Sequence, residues 1–148
     1  MKWLISILVK GITGILVIAM LGFPRNGFTE DDTSVKSETL LKTTTSWDGV
    51  PYASYPKGQP ELTVLKITIP AHTELQWHQH PMPNAGYVLS GEITVEKKDN
   101  GEKRLITAGQ VLPEMVDALH RGMTGDSPAV LIVFYAGTPG MPLVVAGK

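Results

Sequence analysis

Three of the four histidines in this 148-residue chain are spaced so that they could share one ion. In Trp77-His78-Gln79-His80 a separation of two puts both imidazoles on the same face of an extended strand, within reach of one cation. Two imidazoles hold a metal poorly. His120 follows forty residues later in a different extended segment. Three neutral nitrogen donors with open positions suit one divalent transition metal: Fe, Zn, Ni, Cu, Co or Mn. An isolated His-x-His also describes a surface strand with two solvated rings, so the residues around the histidines have to decide.

Those surroundings are strand-like. Apolar residues alternate in Leu65-Lys66-Ile67-Thr68-Ile69 and again in Glu92-Ile93-Thr94-Val95-Glu96, and a period of two marks half-buried antiparallel strands. Further strands are expected at Gly86 to Ser90, Lys103 to Thr107, Val116 to His120, Ala129 to Tyr135 and Leu143 to Val145. Turns are expected at Lys98-Asp99-Asn100-Gly101 and Thr124-Gly125-Asp126-Ser127-Pro128. No long helical period follows residue 30. Short, evenly spaced strands of this kind predict an all-β barrel or double-sheet jelly roll.

The residues around the histidines resemble the cupin superfamily. The family's first motif runs Gly, five residues, His-x-His, three or four residues, Glu, six residues, Gly. Here it reads His72, five residues, His78-Gln79-His80, three residues, Asn84, six residues, Gly91. The second motif runs Gly, five residues, Pro-x-Gly, two residues, His, three residues, Asn, and falls on Gly109, Met115, Asp117, His120 and Thr124. Pro113 lies two residues ahead of the motif's proline position. The stretch Gly86 to Glu92 looks like the strand and turn that follow the ligands, and Gly125 to Phe134 resembles the final strands of small bacterial cupins. The resemblance extends from about Leu40 to Ala136. It implies a cupin-type double-sheet jelly-roll barrel with a metal held by His78, His80, His120 and the residue at position 84.

Position 84 is where the chain departs most from the family. Asn84 stands where the resemblance implies a glutamate ligand, and an amide oxygen brings a dipole but no charge. A neutral shell favours imidazole-preferring metals over a hard ion such as Mn²⁺. A carboxylate or amide could come from elsewhere, because Glu74 and Gln76 share strand parity with His78, and Glu114 shares it with His120 if no bulge intervenes. Each of these is otherwise an exposed strand residue. His72 is expected to be solvated, and Trp77, Tyr87 and Met115 either pack the barrel or face a ligand.

The positioning elements sit in a chain with three expected parts: residues 1–28 a membrane anchor or signal segment, 29–38 a linker, and 39–148 the barrel. Trp3 to Phe23 is apolar or small except for Ser6, Lys10 and Thr13, and its 21 residues would make about 32 Å of helix, enough to cross a bilayer. Ala19-Met20-Leu21 is a poor cleavage site and Gly27-Phe28-Thr29 a passable one, which favours an uncleaved anchor. Lys2 and Lys10 lie at the amino end of the apolar run and Glu30, Asp31 and Asp32 follow its far side, against a mild opposing charge at Arg25, so the domain is expected outside the cytoplasm, or secreted if the leader is removed. Without cysteine there is neither a disulfide nor a thiolate site. A net charge of −1 and no cationic run longer than Lys97-Lys98 argue against nucleic acid as a partner. The expected partners are a small-molecule ligand or substrate, the membrane through the N-terminal helix, and a second copy in a homodimer. Two functions follow, a metal-dependent enzyme acting on a small molecule or a non-catalytic binding module, and the family resemblance covers both.

Overall fold

The computed structural model describes residues 34–147, and from Ser37 onward these form one compact unit. The expected N-terminal helix lies outside the described residues. Among the described residues, no helix is long and apolar enough to cross a membrane.

Among the described residues, nine strands form two antiparallel sheets: β1 (Glu61–Ile69), β2 (His78–Gln79), β3 (Asn84–Ser90), β4 (Glu92–Lys97), β5 (Lys103–Thr107), β6 (Val111–Pro113), β7 (His120–Met123), β8 (Ala129–Gly137) and β9 (Val145–Ala146). One sheet has the order β1-β8-β3-β6 and the other β5-β4-β7-β2-β9. The double-sheet, all-β expectation is met.

Alternation along the strands builds the core. Ile93 and Val95 of β4 are buried while Glu92 is exposed, so the period of two separates core from solvent as anticipated. Leu131, Val133 and Tyr135 of β8 turn inward in the same way and join Ile69, Val88 and Ile106 in one cluster that draws on both sheets. The Lys98–Gly101 turn closes the β4–β5 hairpin: Gly101 takes φ +70°, and its N–H donates to Lys97 O at 3.0 Å. Between β3 and β4, Gly91 has φ +73°, and an added Cβ would stand 2.1 Å from the Pro128 carbonyl oxygen. Only glycine fits there.

Two strand expectations need correction, and one strand was missed. Val116 to His120 does not form a strand. Val116 makes an isolated parallel bridge to His80, Asp117 turns the chain at φ 53°, and β7 starts only at His120. A left-handed residue in mid-segment interrupts the ladder that the apolar pattern suggested. Of the strand expected at Leu143 to Val145 only Val145 is paired, in the two-residue β9 that runs on to Ala146, and β6 was not anticipated at all. β6 has only three residues and ends on Pro113, which is tolerated because β6 is an edge strand.

Candidate metal centre

β2 and β7 are neighbours, and His78 faces His120 directly in their register. Residues paired across antiparallel strands share a face, so the two imidazoles meet. His80, two residues further on, keeps the parity of His78 although β2 has already ended at Gln79. The three ring centroids are 4.6 to 5.1 Å apart, and one ligand atom from each histidine lies within 4.8 Å of the other two. His80 and His120 are buried and His78 is half-buried.

The backbone sets the tautomers. His78 Nδ1 lies 2.7 Å from Gln76 O, His80 Nδ1 2.7 Å from Leu143 O and His120 Nδ1 2.8 Å from Ala118 O. A carbonyl oxygen can only accept, so each Nδ1 carries the proton and each Nε2 is left with a lone pair. Metal-binding histidines use this same arrangement, in which a second contact fixes ring orientation and tautomer. Burial lowers the pKa of all three imidazoles, against the opposing effect of their backbone bonds, which favours the neutral ligating form.

The histidines open into a cavity of about 320 Å³ whose walls are largely apolar, among them Ile67, Trp77, Ile93, Leu131 and Val133. Two further residues of this cavity carry chemistry. Glu114, just past β6, places its buried Oε2 3.3 Å from His120 Nε2, and neither atom has a hydrogen-bond partner. Burial raises the Glu114 pKa, opposed by the nearby His80 and His78. Tyr135 on β8 lies 5.7 Å, ring to ring, from His80, and its phenol is pushed up to about 12 by burial and then by the Glu114 carboxylate. Nothing in the motif spacing pointed to Tyr135. Its parity with Leu131 and Val133 on one strand was the available signal.

The other candidates separate cleanly. Asn84 is buried, with its Nδ2 donating to Met82 O at 3.2 Å and its Oδ1 unpartnered. It lines a different cavity, of about 440 Å³, together with Tyr52, Tyr55 and Phe134. Gln76 lines the histidine cavity, and its carbonyl orients His78. Glu74 is exposed and pairs with Arg121 at 2.7 Å, in a surface cluster that also holds Glu96. His72 is 72% exposed beside Asp126. Trp77 walls the cavity and carries Arg121 against its ring at 4.5 Å, whereas Met115 is core and Tyr87 is half-buried on β3.

The second-motif departures keep the geometry. Asp117, at the motif's glycine position, holds φ 53°, and its N–H donates to His80 O at 2.9 Å. His72, at the first motif's glycine position, also has φ 53°. Thr124, at the asparagine position, uses its hydroxyl to join Pro70 O at 2.6 Å and Thr73 N at 3.0 Å.

With this geometry in place, sequence comparison matches residues 65–135 to the family described as Cupin domain, a span that contains all three histidines. Residues 65–135 form a cupin domain. Solved structures similar to this chain include the DMSP lyase DddQ from Ruegeria pomeroyi DSS-3, at 23% identity and TM-score 0.52, covering 68% of this chain and 49% of that one. The polyketide cyclase RemF from Streptomyces resistomycificus is 17% identical with TM-score 0.51, covering 59% and 61%. A cupin-like protein from Thermotoga maritima is 13% identical with TM-score 0.50, covering 59% and 65%. The alignment thus spans about half of the DMSP lyase and under two thirds of the other two, and at these identities the likeness concerns the fold. No curated protein sequence matches the chain.

Proposed function

We propose that this cupin domain holds one divalent transition metal on His78, His80 and His120 and is an enzyme acting on a small, largely apolar molecule with an oxygen donor. The observation that carries the reading is the convergence of three imidazoles whose Nδ1 atoms are all committed to backbone carbonyls. Three lone pairs directed into one buried space are a poor arrangement without a cation and a good one with it.

A bound ion of this kind supplies Lewis acidity toward an oxygen donor. The protein's own part is to hold, orient and dry the ligand. A cavity of about 320 Å³ is at the small end for ligand sites, which commonly span about 300–1,000 Å³. Its apolar walls exclude water and select an apolar body. Tyr135 stays protonated at neutral pH and offers an O–H donor to a ligand in the cavity. The N-terminal apolar run supports the further reading that the domain is held at a membrane, outside the cytoplasm.

Metal analysis of the purified full-length chain tests the site. About one ion per chain is expected, and His78→Ala, His80→Ala or His120→Ala should each lower bound metal by at least about tenfold. His72→Ala should leave it unchanged, because His72 is solvated away from the cavity. Less than about 0.1 ion per chain, unaltered by these substitutions, would refute the metal reading.

A further inference from the structure

The carboxylate that the first motif lacks at position 84 is present one strand away. In the register of β3 and β6, Ala85 pairs with Pro113, and the next step joins Asn84 to Glu114 through a Glu114 N–H bond to Asn84 O at 3.1 Å. Residues opposite each other on adjacent strands share a face and place their Cβ atoms about 5 Å apart. On the other side of β3, Asn84 faces Tyr135. Position 114 therefore belongs to the same inward row as position 84, and it is Glu114, not Asn84, that lines the histidine cavity.

The contact between Glu114 and His120 is unusual as it stands. His120 Nδ1 gives its proton to Ala118 O, so Nε2 meets the Glu114 Oε2 lone pair to lone pair at 3.3 Å, both atoms buried. Two buried acceptors facing each other are costly unless a proton or a cation lies between them. Two donors each about 2.1 Å from a common ion, subtending about 90–110°, are about 3.0–3.4 Å apart. The observed separation falls in that range. The ligand atoms that lie mutually within 4.8 Å are those of the three histidines, and Glu114 adjoins them from the His120 side, so its carboxylate has to swing toward His78 and His80 to share their ion.

We infer that Glu114 is the fourth protein ligand of the three-histidine centre, a carboxylate supplied from just past the end of β6, the strand paired with β3. The inference rests on the three-histidine reading above. It makes the shell singly negative, so harder ions such as Mn²⁺ and Fe²⁺ become acceptable where a neutral shell disfavours them.

Calorimetric titration of the metal-free full-length chain with Mn²⁺ and with Ni²⁺ tests it. Glu114→Gln keeps the volume, and its amide N–H can still bond to His120 Nε2, so a side chain serving only as a hydrogen-bond partner would leave both affinities within about twofold. A ligand role predicts a loss of about tenfold or more for Mn²⁺ and a smaller loss for Ni²⁺. Glu114→Asp, which draws the carboxylate back by one methylene and gives a second variant if Glu114→Gln folds poorly, should likewise weaken Mn²⁺ more than Ni²⁺. Unchanged Mn²⁺ affinity in a folded Glu114→Gln, or in a folded Glu114→Asp where Glu114→Gln does not fold, overturns the assignment while leaving the three-histidine site in place. If the unsubstituted chain takes up neither ion, the three-histidine reading falls and Glu114 falls with it.

Discussion

At the scale of single residues, the family's glycine positions show how a changed identity can preserve a shape. His72 and Asp117 both sit at φ 53°, the conformation glycine adopts without cost and Asp and His adopt at a modest one. Asp117→Gly should therefore change stability by less than about 1 kcal/mol, while Asp117→Val should cost more than about 1 kcal/mol, because a β-branched residue is strained at positive φ. Urea unfolding of the two variants measures the difference, and equal midpoints would show that the turn relaxes. Gly91→Ala is a harsher change: it meets both positive φ and the Pro128 oxygen, and should cost at least about 2 kcal/mol in the same assay.

Between elements, the segment ahead of β1 is fastened by a charge. Lys97, at the end of β4, donates to Asp48 Oδ2 at 2.9 Å, and the other oxygen of Asp48 accepts from Ser46 Oγ. Trp47, buried beside them, donates its backbone N–H to Pro113 O at 2.8 Å, and Tyr52 donates its hydroxyl to Glu114 O at 2.8 Å. This segment thus braces the strand end that carries Glu114. Burial raises the Asp48 pKa, but the bonds from Lys97, Ser46 and Val50 outweigh it and hold the carboxyl below its ordinary 3.8. A group whose folded pKa is depressed contributes stability above its unfolded value and loses it as the pH falls through the folded one. Asp48→Asn should thus lower stability by about 1–2 kcal/mol at pH 7, with the gap from the unsubstituted protein closing below about pH 4. Thermal unfolding of both proteins from pH 7 to pH 3 checks this; a gap that does not depend on pH would assign the effect to packing.

For the molecule as a whole, the core draws on both sheets and lies within Ser37–Lys148. A fragment with those bounds should fold alone, giving a sheet-rich circular dichroism spectrum with little helix and a cooperative thermal transition. A fragment that folds only with residues 1–36 attached would show that the core extends beyond this unit. The fragment should also take up as much metal as the full chain, since every residue assigned to the site lies inside it.

Local chemistry determined a good deal of this protein in advance. Alternation in Leu65–Ile69 and Glu92–Glu96 indicated two-sided strands, because a period of two follows from the pleat itself. The His78-x-His80 spacing put two imidazoles on one side for the same reason, and the motif order brought in His120. Contacts distant in sequence decided the rest. The tautomer of His80 depends on Leu143 O, 63 residues away. A positive φ at Asp117 ended a strand that the apolar pattern would have continued. Glu114 turned inward because an edge strand of three residues pairs with β3, and Glu74, of equally suitable type, was drawn out to Arg121. Parity along a strand is fixed by backbone geometry, but which carboxylate reaches the cavity depends on strand pairing and competing charges, and these exist only once the chain has folded.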